Sequence, residues 1–292
     1  MAEAARITQM LDLALGADRF DRGPVPIEQL VVEYSTNTYP EERVEYVTGA
    51  PIDGCVGALV RGEDSPPKWA VLYHQDQSEG RKAYTVAHEM AHWVLHRHML
   101  SDSIYCGVDD VFRGGGIDIE READVFAANL LMPFNDFRAN LPARERPGFD
   151  SLGKMASRYG VSLTAAILRW LEYTEVRALV VVSTDGYANW SKPSKPALRT
   201  GAFIRTRSDP FELPSDSIAA RAEFNEETRA GIEQPPGTWF GEQVVEMAIR
   251  SDRYDREITI LHLDDRGPVY QEEELVEDSF DQFFRFGEDR RR

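Results

Sequence analysis

The stretch His88-Glu89-Met90-Ala91-His92 constrains the fold of this chain more than any other, because its chemistry exists only if it is helical. Residues four apart on an α-helix project the same way, so His88 and His92 can hold one cation between their imidazoles. Zinc–nitrogen bonds of about 2.0–2.1 Å suit such a pair of rings. Glu89 sits one position further round, too far to ligate easily, yet within reach of a water beside the cation. That is the placement of a general base. The motif is short, and two solvated histidines on a surface helix would be spelled the same way.

The surrounding residues favour the first reading. Lys82 to His98 predicts one helix, with Tyr84, Val86, Ala87, Ala91, Trp93, Val94 and Leu95 apolar on many sides and no internal Gly or Pro. A helix of that kind is expected to be buried, where histidine and glutamate are costly unless paired or metal-bound. A catalytic zinc takes three protein ligands and keeps a fourth position for water. Ile119 to Leu131 offers the third: Ala123, Phe126, Ala127, Leu130 and Leu131 follow helical spacing, and Pro133 stops the helix. Glu120 and Asp124 share one of its faces. Glu120 is favoured as ligand over Glu122, which faces elsewhere and reads as a solvated charge. Asp124 is expected to hydrogen-bond a ligand histidine, His88 in the first instance.

A different ligand scheme would use His98, ten residues after His88, where metzincin proteases place a third histidine. Those enzymes break the helix with Gly seven residues after the first histidine, and here that residue is Leu95. On a continuing helix His98 lies about 9 Å beyond His92. His96 continues the His88–His92 stripe but is a turn too far to share the ion with His88. Both read as polar groups suited to a helix C-terminus, with His96 also able to line a cleft.

The run from Gly80 to His96, followed by Glu120 to Pro133 with its E-x-x-A-D-x-F-A-x-x-L-L-M-P spacing, resembles the ImmA/IrrE family of metallopeptidases. The resemblance covers about 75 to 135, and the remainder only by order of elements. It implies a gluzincin-like zinc endopeptidase that cleaves a helix-turn-helix transcriptional repressor, relieving repression in a stress response or in mobile-element control. It also implies a site of His88, His92 and Glu120 with Glu89 as base. Two imidazoles and a carboxylate accept several metals, so manganese or another divalent ion stands beside zinc.

At 292 residues the chain is long enough for about two domains. No apolar run approaches the roughly 18 residues of a membrane span, and the N-terminus lacks a basic start followed by an apolar block. The expected location is cytoplasmic, with no membrane partner. Cys55 and Cys106 are expected to be reduced and structural. A formal charge of −17 argues against a DNA-coating function, so no direct nucleic-acid binding is expected. It suits an enzyme acting on a basic protein.

The expected class is α+β: a gluzincin-like zinc peptidase core of helices plus a small sheet, a helix-turn-helix-like helical unit, and a small mostly β C-terminal domain. The boundaries are 1–142, 143–175 and 176–270, with an acidic tail at 271–292. Within the core, residues 2–16 predict a helix with Ile7, Met10, Leu11, Leu13, Ala14 and Leu15 on one side. Leu30 to Tyr34, Cys55 to Val60 and Lys68 to His74 predict strands. Ser101 to Ile117, with Gly107 and Gly114 to Gly116, is either a cleft wall or a plain connector. Residues 134–141 predict a short helix. Asp150 to Leu171 has the shape of a helix-turn-helix, with Gly160 at the turn and Ser162 as N-cap. Its second helix starts Leu163-Thr164-Ala165-Ala166, poor equipment for reading bases, so a structural or docking pair is favoured.

Beyond 176, Ala178 to Ser183 and Glu257 to Leu263 predict strands, with short ones at Ala202 to Ile204 and Thr238 to Phe240. His262 reads as a core or surface histidine. Longer ImmA/IrrE relatives carry a sensor-like C-terminal domain, which implies regulation or partner binding here. The tail, with Phe280, Phe283, Phe284 and Phe286, is either disordered or a docked short helix.

The expected reaction is hydrolysis: a zinc-activated water attacks the scissile carbonyl, and Glu89 takes its proton and passes it to the leaving amine. Tyr84, Tyr105, His74 and His96 are candidate oxyanion donors. The rival readings are a non-cleaving toxin or regulatory partner of a cognate repressor, and a DNA-binding regulator using 150–171.

Overall fold

The computed structural model describes residues 2–106, 116–206, 210–251 and 255–265. The described residues divide into two compact units, the first formed by 2–137 with Met155–Leu163, the second by Arg138–Lys154 and 164–265. The class is α+β, as expected. The glycine-rich Ser101–Ile117 segment lies mostly outside the described residues, as do the tail and the side chains of Tyr105 and Cys106.

The first unit opens with α1 (Ala2–Leu15), α2 (Arg19–Arg22) and α3 (Ile27–Thr38). In α1 the buried stripe is Ala4, Ile7, Thr8 and Leu11, spaced three and four apart. Met10, Leu13 and Leu15, expected beside Ile7, are exposed. Met10, Leu13 and Leu15 lie near Ile7 in sequence but at other angles round the helix, so proximity in the chain does not put them on the buried side. Residues 30–34, expected as a strand, lie inside α3. Ile27, Leu30, Val31 and Tyr34 keep a helical period that a five-residue window conceals, and that period outweighs the β preference of Val and Tyr. The Ser35 hydroxyl of this helix accepts the Val44 amide at 2.9 Å, tying α3 to the sheet that follows.

That sheet has β1 (Val44–Ala50), β2 (Gly57–Arg61), β3 (Trp69–His74) and β4 (Ile104–Cys106), ordered β1-β3-β2-β4. β1 runs parallel to β3 and the other pairs are antiparallel. The expected strands at 55–60 and 68–74 are β2 and β3. β1 and β4 were not anticipated, since neither carries a strong alternation of its own.

α4 (Glu79–Ala91) crosses this sheet, capped by the Ser78 hydroxyl, which accepts the Arg81 amide. It begins three residues before the expected start at Lys82. Thr85 to Ala91 are all buried. The helix does not run unchanged to His98: His92–His96 form a π-helical turn, and Arg97–Met99 a 3-10 turn. Arg97 closes this end, donating to the Trp93 and Val94 carbonyls at 3.1 and 3.2 Å and to Glu42 at 3.0 Å. α5 (Gly116–Leu131) lies beside α4 and ends, as expected, before Pro133. α6 (Phe134–Asn140) follows.

Residues 150–171 form two helices, α7 (Phe149–Tyr159) and α8 (Leu163–Tyr173), joined through Gly160 at a φ of +63°. In the first unit, the end of α7 is held by Arg158, paired with Asp136 at 2.9 Å and Asp21 at 2.6 Å, and by Tyr159 stacked on Phe137.

The second unit is built on an antiparallel sheet of β5 (Ala178–Thr184), β6 (Tyr187–Pro193), β7 (Phe211–Glu212), β8 (Ile232–Gln234), β9 (Val244–Ser251) and β10 (Arg256–Leu263). The order is β7-β6-β5-β10-β9-β8, so the two expected strands, β5 and β10, are its centre. Residues 202–204 and 238–240, expected as short strands, are loop. Their apolar residues Ala202, Ile204 and Trp239 instead pack on Leu179, Val181, Leu261 and Leu263 as a cover for one sheet face. Short helices α9 (Lys195–Arg199), α10 (Ile218–Arg221) and α11 (Glu226–Ala230) fill the connections. His262 is a core histidine. Its Nε2 is 3.2 Å from the Pro147 carbonyl, its ring meets Trp170 edge-on, and burial pushes its pKa down to about 4.

No helix among the described residues is long and apolar enough to cross a membrane.

In the first turn of α4, a Cβ at Gly80 would lie 2.5 Å from the Val161 carbonyl carbon and 2.6 Å from the Ser162 nitrogen. Gly→Ala inside a helix ordinarily gains up to about 1 kcal/mol. Here two backbones must separate, so Gly80→Ala is expected to cost about 1–3 kcal/mol, the scale of overpacking. Urea denaturation measures the sign, and a stabilised variant would contradict the close approach.

Candidate metal centre

α4 and its π-helical extension present His88 and His92, and α5 presents Glu120 and Asp124. His88 Nε2 and His92 Nε2 are 3.0 Å apart. Glu120 completes a triangle, with Oε2 at 3.1 Å from His88 Nε2 and Oε1 at 3.3 Å from His92 Nε2. Four ligands at about 2.0–2.1 Å in tetrahedral array stand about 3.3 Å from one another. The triangle is therefore close to one face of such an array. Among the described residues, His88, His92 and Glu120 form a group able to hold a metal ion; His98 is exposed and outside it.

The hydrogen-bond partners say which atoms carry protons. Asp124 Oδ1 lies 3.0 Å from His88 Nδ1. A carboxylate only accepts, so a neutral His88 ring with its hydrogen on Nδ1, donated to Asp124, would present its Nε2 lone pair to a metal ion held beside Glu120 and His92. Two ring nitrogens and a carboxylate thus converge on one place within the protein, an arrangement that one divalent ion fits.

Local electrostatics prepare the same donor set. Burial, with no exposed surface left on the ring, pushes the His92 pKa down to about 4. Burial also pushes the Glu120 carboxyl up, but its hydrogen bonds with His88 and His92 outweigh this and hold it well below the usual carboxylate range. At neutral pH His92 is therefore a neutral imidazole and Glu120 an ionised carboxylate, the forms that ligate.

Glu89 is fully buried. Its carboxylate faces the first residue of β2, where a Cβ on Gly57 would lie 2.5 Å from both Glu89 Oε1 and Thr85 Cγ2. Gly57 is thus part of the site, and only its absent side chain leaves room for the glutamate. A lone glycine at a strand start was the available signal, since such glycines often mark a close approach.

Of the expected oxyanion donors, Tyr84 donates its hydroxyl to Asp124 Oδ1 at 3.3 Å. His74 accepts the Asp76 amide at 3.3 Å on β3. His96 departs from its reading as a polar group at a helix end, whereas Glu122 is exposed, as expected of a solvated charge, and reaches His96 with its carboxylate. His96 is 1% exposed; its Nδ1 is 3.0 Å from His92 Nδ1 and its Nε2 is 3.0 Å from Glu122 Oε2. His96 sits at the end of the π turn, on the His88–His92 stripe, with α5 alongside.

Residues 50–171 match the model of the M78 peptidase family, the IrrE N-terminal-like domain. The whole chain is similar to a Mycobacterium tuberculosis transcriptional regulator, with a TM-score of 0.51 and 14% identity over 90% of this chain and 76% of that one. At that identity the likeness concerns the fold alone. No curated protein matches the chain.

Stability in the absence of metal should follow the pH. Unfolded, His92 titrates near its ordinary 6.5, whereas folded it stays neutral to about pH 4. Glu120 likewise ionises more readily folded than at its ordinary 4.5. In both cases the unfolded chain binds protons first, so stability falls as pH drops from about 6.5 to 4 and continues falling below. Denaturant midpoints in chelator at pH 7 and pH 5 check this, and a higher midpoint at pH 5 would contradict it.

Proposed function

We propose, from the place of residues 50–171 in the IrrE N-terminal-like peptidase family, that this chain is a zinc-dependent endopeptidase. Its substrate is a helix-turn-helix transcriptional repressor, and cutting it relieves repression. The observation that carries the reading is the His88–His92–Glu120 triangle with a buried glutamate next to its first histidine. The same donors accept manganese or another divalent ion.

When bound, the metal supplies a Lewis acid for the scissile carbonyl and a water of lowered pKa. Glu89 would act as general base, taking a proton from the attacking water and returning it to the leaving amine. Asp124 keeps the His88 hydrogen on Nδ1, so that Nε2 stays available as a ligand. Tyr84, donating to Asp124, steadies this carboxylate in turn. Gly57 holds open the space in which Glu89 stands.

A repressor as substrate agrees with the formal charge of −17, which attracts basic DNA-binding proteins and repels DNA. It also sets the place of action in the cytoplasm. The α7–α8 pair serves docking or structure rather than base readout, and the second unit serves regulation or partner binding.

The test is incubation of the zinc-loaded protein with the repressor encoded beside it, followed by mass spectrometry for a new N-terminus. Glu89→Gln is expected to retain stoichiometric metal and to lose cleavage by about 10²–10⁴-fold, the usual worth of a general base. Chelation should abolish cleavage, and zinc should restore it. Intact repressor with the wild-type protein would favour a non-cleaving partner instead, and full activity in Glu89→Gln would remove the mechanism.

A further inference from the structure

We infer that His96 and Glu122 are positioning residues for His92, forming a relay that fixes which nitrogen of His92 faces the metal. The inference rests on the reading of His88, His92 and Glu120 as the metal centre.

The proton bookkeeping admits one consistent direction. If His92 ligates through Nε2, the hydrogen of its neutral ring is on Nδ1, which lies 3.0 Å from His96 Nδ1. His96 must accept there, so its own hydrogen is on Nε2, 3.0 Å from the Glu122 carboxylate. Glu122 accepts without needing a proton. The chain His92 Nδ1–H to His96 Nδ1, then His96 Nε2–H to Glu122, is therefore complete at each station. It leaves the Nε2 of His92 as a lone pair, as Asp124 does for His88.

Backbone geometry supports a dedicated arrangement. His92 and His96 are the two ends of the π-helical turn, and their rings lie 5.1 Å apart, tilted by 51°. Such turns interrupt regular hydrogen bonding and concentrate at functional sites. α5 then serves the centre three times, through Glu120 in the triangle, Asp124 behind His88, and Glu122 behind His92 by way of His96. Glu122 is exposed, its side chain 63% accessible, so the buried His96 carries its anchoring into the site.

His96→Phe keeps a ring of similar size and removes both nitrogens. Competition with a chromogenic chelator is expected to show zinc binding weakened about 10–100-fold, the usual effect of losing a partner behind a ligand. Glu122→Gln, which keeps an accepting oxygen, should stay close to wild type, whereas Glu122→Ala should weaken binding in the same direction as His96→Phe. Should His96→Phe not fold, the exposed Glu122→Ala carries the comparison. In zinc-loaded wild type, ring-nitrogen NMR should find the His96 hydrogen on Nε2. That readout would not respond to a merely space-filling role. A hydrogen on His96 Nδ1, or unchanged zinc affinity in both His96→Phe and Glu122→Ala, overturns the relay and leaves the metal centre standing. A wild-type protein that takes up no divalent metal overturns both.

Discussion

Between α4 and α5, the Nε2 atoms of His88 and His92 and the carboxylate of Glu120 meet at separations of 3.0–3.3 Å. Three donor groups gathered that closely in a partly buried place form the set that one divalent ion would hold together. The rest of the first unit acts to keep them there. Asp124 fixes one ring, the Glu122–His96 pair adjoins the other, and both carboxylates belong to the helix that supplies Glu120. A displacement of α5 along α4 would disturb all three connections at once.

Packing is what resists such a displacement. α4 buries Val86, Ala87, Met90 and Ala91, followed by Trp93, and α5 buries Ala123, Phe126, Ala127, Leu130 and Leu131. A fully buried large apolar side chain contributes on the order of 1.5–3 kcal/mol. Small residues alternate with large ones, so the two helices can approach closely without leaving a void. Beneath α4, β2 begins with Gly57, where any larger residue would push against Glu89. Polar precision in the centre thus depends on apolar fit around it.

The second unit follows a different logic. Its central strands β5 and β10 are almost wholly buried, and its buried charged groups are hydrogen-bonded to nearby donors or ion partners. Arg177 meets Glu242 through two bonds of 2.8 Å, and Glu246 accepts the Ile218 amide at 2.9 Å and Gln234 at 2.8 Å. Each buried charge has its partners, which makes these groups architectural. No described feature there gathers lone pairs as the α4–α5 pair does.

Where helical periods are long and strong, spacing along the chain shows which residues share a face. It placed His88 with His92 and Glu120 with Asp124, and it made α4, α5, β5 and β10 legible, because their periods are long and strong. Three things belonged to the tertiary structure. Ile27–Thr38 became a helix because its apolar stripe extends beyond the short run that looked like a strand. His96 and Glu122 became partners because α5 lay alongside the turn that carries His96. Gly57 became part of the site because β2 passes under Glu89. Each depends on segments distant in sequence pressing on a local choice, and a local pattern carries no record of what it will be pressed against.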